Sequence, residues 1–317
     1  MAAMNRVQFQ SGLSMEVFFE RYGTEEKCHA ALEASRWPSG FCCPACGDPR
    51  HSRFVREGRT YWQCHRCRKQ STVISGTIFQ STKLSLRRWF LAMHLLTQAK
   101  NNVSALELKR NLGVCYKTAW LAKHKILDVM TEREAGRVLE GRVEIDDAYL
   151  GGEKEGTPGR GSENKISFVA AVQTSEDGHP LFICLKRLAF TKEAIDAWAN
   201  QSLAASSYVL SEGLKCFTAL EGNVAQHKPH VVGSGRQAVQ HVVFRWVNTV
   251  LGNLKTSISG TYHAFKFAKY ADRYLGEAQY RFNRRFDLST ILTRLTRAAV
   301  LTFPHPMAKI RLAEVGR

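Results

Sequence analysis

The chain has 317 residues, enough for two or three domains with their own cores. Hydrophobic residues at 44% and aromatics at 10% exclude general disorder, and no apolar run approaches the roughly 20 residues of a membrane-spanning helix. Lys and Arg number 45 against 28 Asp and Glu, a net charge of +17, which points to a polyanionic partner, most simply nucleic acid, over a membrane surface.

Residues 1–37 read as an N-terminal helical segment without a basic stretch leading into an apolar one, so secretion is not expected. The next stretch, 38–80, holds the pairs Cys43-x-x-Cys46 and Cys64-x-x-Cys67 around a basic, aromatic hairpin. Two such pairs are the arrangement of a zinc ribbon: two knuckles whose amides meet the thiolates, and four sulfurs that close a tetrahedral Zn²⁺ site. Cys42 could compete with Cys43, but the CPxCG pattern favours Cys43. A module this small depends on its metal for folding energy. Arg50, Arg53, Arg56, Arg59, Arg66, Arg68 and Lys69 decorate it, as a solvated basic face or as contacts to a DNA backbone. Cys28, Cys115, Cys184 and Cys216 are scattered and are expected to be core thiols; a quartet explained without disulfides fits a reducing cytoplasm.

Residues 81–135 show helical periodicity. "LSLRRWFLAMHLLTQA" reads as one amphipathic helix. Ser104 can cap a second, which Gly113 ends, and a basic third helix carries Lys117, Lys123, His124 and Lys125. Helix, short turn and basic helix match a helix-turn-helix, with Lys117 and Lys123 as candidate DNA contacts; an ordinary helical hairpin gives the same pattern.

Residues 136–317 begin with "RVEIDDAY", a strand that breaks at Gly151-Gly152. Two apolar strands follow, then the helix "TKEAIDAWANQSLA" and the strand "SYVLSEGLKCF" ending near Glu212. Three strands, a helix and a fourth strand with a terminal carboxylate is the order of an α/β RNase H-like fold, a mixed sheet flanked by helices. There, acids from the first and fourth strands lie side by side and can hold paired divalent cations. Such an acid cluster makes sense in a chain otherwise built for polyanions. Glu144 and Asp147 are expected to shape the site, and Glu153 and Glu155 to lie in a solvated turn. Further on, "FAKYADRYLGEAQYRFNRRF" is helical, with Arg281, Arg284 and Arg285 placed for phosphates, or simply an amphipathic helix with a basic end. The apolar helix "LSTILTRLTRAAVLTF" is expected to pack on the core.

Taken together, "FCCPACG" with "CHRC", "VEIDDAYLGG", "SEGLKCF", "WVNTVLGNLK", "SGTYHAF" and "YRFNRRF" resemble bacterial insertion-sequence transposases of the DDE type with an N-terminal zinc ribbon, over nearly the whole chain. The resemblance implies an RNase H-like core whose catalytic Mg²⁺ or Mn²⁺ is held by the first-strand Asp146 and by Glu212. It further implies site roles for Asn253 in its "GNLK" setting, Lys255, and Glu277, with Arg281 and Arg284 four and seven residues on. One position departs: the family's second aspartate stands in an S-D-G-L context, and this chain has Ser211-Glu212-Gly213-Leu214. The implied activity is metal-dependent cleavage and transfer of DNA strands at an element's terminal inverted repeats. Double-stranded DNA, at the element's ends and at the target, is the implied partner, bound by a homo-oligomer. A weakened or inactive DNA-binding relative is the alternative that Glu212 leaves open.

Overall fold

The computed structural model describes residues 10–151, 165–231, 242–262 and 267–312. Glu153 and Glu155 lie outside these, as does "SGTYHAF" from His263 onward. The chain divides into two units, one of residues up to Val129 together with Arg284–Leu312, the other of Met130–Asn283.

The first unit opens with α1 (Met15–Tyr22) and α2 (Glu25–Arg36), capped by Ser14 and Thr24, whose hydroxyls accept from the N–H groups of Val17 and Lys27. A three-stranded antiparallel sheet follows: β1 (His51–Arg56), β2 (Arg59–Cys64) and β3 (Gln70–Ser71). The two-residue turn between β1 and β2 places Glu57 and Gly58 at φ 51° and 70°, the left-handed pair that suits the twist of a tight hairpin. Then come α3 (Leu86–Gln98), α4 (Ala105–Leu112) and α5 (Tyr116–Glu134). Ser104 caps α4 by accepting from Glu107 N–H, and Gly113 ends it at φ 61°, as its sequence position required.

The second unit is a five-stranded sheet with helices on both faces. Its strands are β4 (Arg142–Leu150), β5 (Ile166–Thr174), β6 (Pro180–Arg187), β7 (Tyr208–Glu212) and β8 (Gln226–His230), in the order β6-β5-β4-β7-β8. The first three pair antiparallel; β4, β7 and β8 run parallel. This is the RNase H-like sheet, with the first and fourth strands adjacent. Alternation along the strands decides what covers each face. Ala148, Phe168, Ala170 and Val172 pack on α7 (Arg245–Ser259) and α8 (Phe267–Phe282) through Val247, Leu251, Leu254 and Leu275. Val143, Ile145, Val169 and Ala171 pack on α6 (Lys192–Ser202) and the 3₁₀ turn Lys215–Gly222 through Ile195, Trp198, Phe217 and Leu220. The sheet edge at β6 is closed by side chains of this unit. The Asn283 amide accepts from Ile183 N–H at 2.7 Å and donates to Ile183 O at 3.0 Å, and Gln279 Oε1 accepts from Leu185 N–H at 2.9 Å. Strand groups that would otherwise be unpaired are thereby satisfied.

After α8 the chain returns to the first unit with α9 (Ile291–Leu301) and α10 (Met307–Leu312). The sequence suggested that α9 packs on the catalytic core; within its own unit it lies against α2 and α3, and Arg297 donates to the carbonyls of Ser35 and Arg36. Its apolar stripe of Ile291, Leu292, Leu295 and Ala299 says that it must be buried but not against which partner. Among the described residues no helix is long and apolar enough to cross a membrane.

Candidate metal centres and nucleic-acid contacts

The ribbon brings Cys43, Cys46, Cys64 and Cys67 together with their sulfurs all within 4.8 Å of one another. Cys43 and Cys67 Sγ lie 3.5 Å apart, and Cys46 and Cys64 Sγ 3.6 Å. Four sulfurs about 2.3 Å from one zinc in a tetrahedron sit roughly 3.8 Å apart, so the quartet fits the ion. The knuckles repeat each other. Gly47 N–H donates to Cys43 O and Arg68 N–H to Cys64 O, with Gly47 and Arg68 both in the left-handed region at φ 74° and 61°. Burial pushes the Cys43 thiol up, but the amides of Ala45 and Cys46 and the neighbouring thiols outweigh it and bring the pKa down to about 6. Cys42 is exposed and stands outside the quartet. Cys28, Cys184 and Cys216 are buried as expected. Cys115 is not: it is exposed just before α5, its sulfur 3.2 Å from Thr118 Oγ1.

In the second unit, Asp146, Asp147 and Glu212 offer carboxylate oxygens within 4.8 Å of one another. The β4–β7 ladder explains the position. It runs from Arg142↔Tyr208 to Ile145↔Ser211, so Glu212 ends β7 beside Asp146 at the carboxyl ends of parallel strands, where open α/β sheets leave a crevice. Burial, then the charges of Glu212 and Asp147, raise the Asp146 carboxyl to about 7. Three half-buried carboxylates that repel one another are a hard-oxygen donor set suited to divalent cations such as Mg²⁺. Asp147 was expected to shape or solvate the site. The ladder stops before it, however, so its carboxylate lies beside the strand end. The signal for it was the Asp-Asp doublet itself.

Glu144 shapes the site by a route that the sequence does not show. It is buried, with Oε1 accepting from Arg142 Nη1 at 2.8 Å. Its Oε2 accepts from the N–H groups of Trp246 and Val247 at 2.9 and 3.1 Å. Phe244, at the start of α7, offers no side-chain cap, so a strand residue supplies it. On that helix Asn253 and Lys255 are exposed. Glu277 is fully buried on α8 and accepts from the Tyr262 hydroxyl at 3.4 Å. Arg281 is half-buried; desolvation lowers its pKa against the opposing pull of Glu277 and Tyr262.

Two of the expected DNA contacts are buried. Lys123 is 1% exposed and its ammonium donates to Val103 O at 2.7 Å, so it ties α5 to the preceding loop. Arg284 is buried as well. Both were read from charge on a helix, which does not tell which face turns inward. Lys117 is exposed, and Arg285 is half-buried, with its guanidinium 4.1 Å from the Phe286 ring centre and its pKa lowered by burial to about 10.

Residues 138–283 match the ISXO2-like transposase domain, and residues 23–70 match a transposase zinc-ribbon domain. The chain is also 30% identical over 186 residues to an uncharacterized protein in transposable element ISH50 of Halobacterium salinarum, a match that covers 56% of this chain and 60% of that relative's length. With both modules matched in the order that the fold shows, the chain carries a transposase zinc-ribbon domain ahead of an ISXO2-like transposase domain.

Proposed function

We propose that the protein cuts the ends of its insertion sequence and joins them to target DNA, using divalent cations held by Asp146, Asp147 and Glu212. The observation that carries this reading is the trio of carboxylates gathered beside the carboxyl ends of the parallel strands β4 and β7. Bound there, divalent ions would supply activation of the attacking oxygen and stabilisation of the leaving one. The chain's own part is to hold the acids on a rigid sheet and to place DNA against them. Lys255, exposed on α7, and the half-buried Arg285 are proposed backbone contacts, and Asn253, exposed on the same helix, is proposed as a further polar group of the site. Glu277, buried with Tyr262 and Arg281, acts by holding α8 in place. The ribbon and the α4–α5 pair, with Lys117 exposed, bind the terminal repeats, and pairing two ends calls for a homo-oligomer on DNA.

A weakened enzyme that keeps DNA binding is the second reading, favoured by Glu212 in place of the family's aspartate. A labelled duplex carrying the element end, incubated with the purified protein and Mg²⁺, decides between them. Site-specific nicks absent from Asp146→Asn support the enzyme, whereas specific binding with no cleavage supports the second reading.

A further inference from the structure

We infer that the outer face of the ribbon hairpin lies in the major groove of duplex DNA and reads the element end there; this rests on the end recognition proposed above. Residues directly opposite in an antiparallel pair share a face. The register Ser52↔Gln63, Phe54↔Tyr61 and Arg56↔Arg59, extended by Gln63↔Gln70, therefore puts these side chains on one surface. The other surface is covered around Trp62, while Val55 nearer the turn is exposed. Trp62 is 1% exposed, with Trp37 and His29 rings 5.0 and 6.0 Å away, and Arg53 sits over it while pairing with Glu33 at 3.3 Å.

The outer face has a different character. Phe54 and Tyr61 stack with ring centres 5.6 Å apart and planes within 13°, and Arg56 lies 4.8 Å over Tyr61. Gln70 Nε2 donates to Gln63 Oε1 at 3.1 Å, so two amides lie side by side. Arg50 and Arg53 have acidic partners in Asp48 and Glu33; among the described residues Arg56 and Arg59 have none. Unneutralised arginines at the tip, apolar rings at the middle and carboxamides toward the knuckle match what a major groove offers. A two-stranded ribbon fits its width, glutamine pairs with adenine edges, aromatic rings meet thymine methyls, and the arginines reach phosphate.

The test is selection from a random duplex library by the full-length, zinc-loaded protein, followed by affinity measurements on the enriched duplex. Gln63→Ala with Gln70→Ala should flatten the preference at one or two adjacent base pairs by roughly tenfold. Arg56→Ala with Arg59→Ala should weaken binding to all duplexes and reduce the salt slope by about 2. Val55→Ala, on the opposite face, should leave motif and affinity unchanged. Zinc content equal to wild type certifies that each variant keeps a folded ribbon. A motif unchanged in the glutamine double variant overturns the inference and leaves end recognition standing; a wild-type protein that enriches no motif removes the end recognition on which it rests.

Discussion

Glu144 on β4 accepts the backbone N–H of Trp246 at 2.9 Å, so a strand two residues from Asp146 anchors the first turn of α7. Both belong to one sheet-and-helix layer, yet they are 102 positions apart in sequence. Removing the acceptor should cost about 1–2 kcal/mol, the scale of a lost N-cap. Glu144→Ala should cost more than Glu144→Gln, because it also takes away one of the acceptors of Arg142. Urea unfolding of the two variants measures this; a midpoint equal to wild type in both would show the cap to be dispensable.

Zinc content is the next expectation. Purified protein should carry about one zinc per chain, held by the cysteine quartet. Cys64→Ser should lose it and unfold the ribbon while leaving the sheet of the second unit intact, visible as retained strand signal with loss of end binding. Metal analysis of freshly purified protein that finds no zinc contradicts the assignment.

The raised pKa of Asp146, about 7, has a definite sign for stability. The folded state binds this proton more tightly than the unfolded chain, whose aspartates titrate near about 3.9. Metal-free stability therefore falls as pH rises from the unfolded to the folded value, and the penalty is complete above it. In chelator, Asp146→Asn should melt several degrees above wild type at pH 8 and match it near pH 4. Mg²⁺ at pH 8 should raise the melting temperature of wild type only. An advantage for the variant that is the same at both pH values is inconsistent with this account.

Glu212 is the residue where side-chain length matters. One methylene moves a carboxylate by about 1.5 Å, and displacements near 1 Å from reactive geometry cost about a hundredfold in rate. Glu212→Asp should therefore raise single-turnover cleavage at least about tenfold, without changing end binding. Equal rates in the two proteins would mean that β7 already accommodates the longer side chain.

What the sequence reveals and what it hides divides along sequence separation. The cysteine knuckles, the cap at Ser104 and the stop at Gly113 are local, so spacing and residue type suffice. The strand order could be read because alternation and the single crossover helix leave few topologies. The cap from Glu144, the Asn283 clamp on β6 and the burial of Lys123 depend on contacts made only after the chain has folded, and no periodicity encodes them. Strand β8 (Gln226–His230), polar and containing Pro229, carries no strand pattern and forms because β7 offers it a ladder at the sheet edge.

The packing of α9 on α2 and α3 has a consequence for the order of synthesis. The ribosome delivers the ribbon and the first five helices, then the entire catalytic sheet, and only afterwards the helix that covers α2 and α3. A nascent chain stopped anywhere inside the catalytic unit is left with that apolar seam open to water. Residues from both sides of the sheet domain, not the N-terminal ones alone, make the first unit whole.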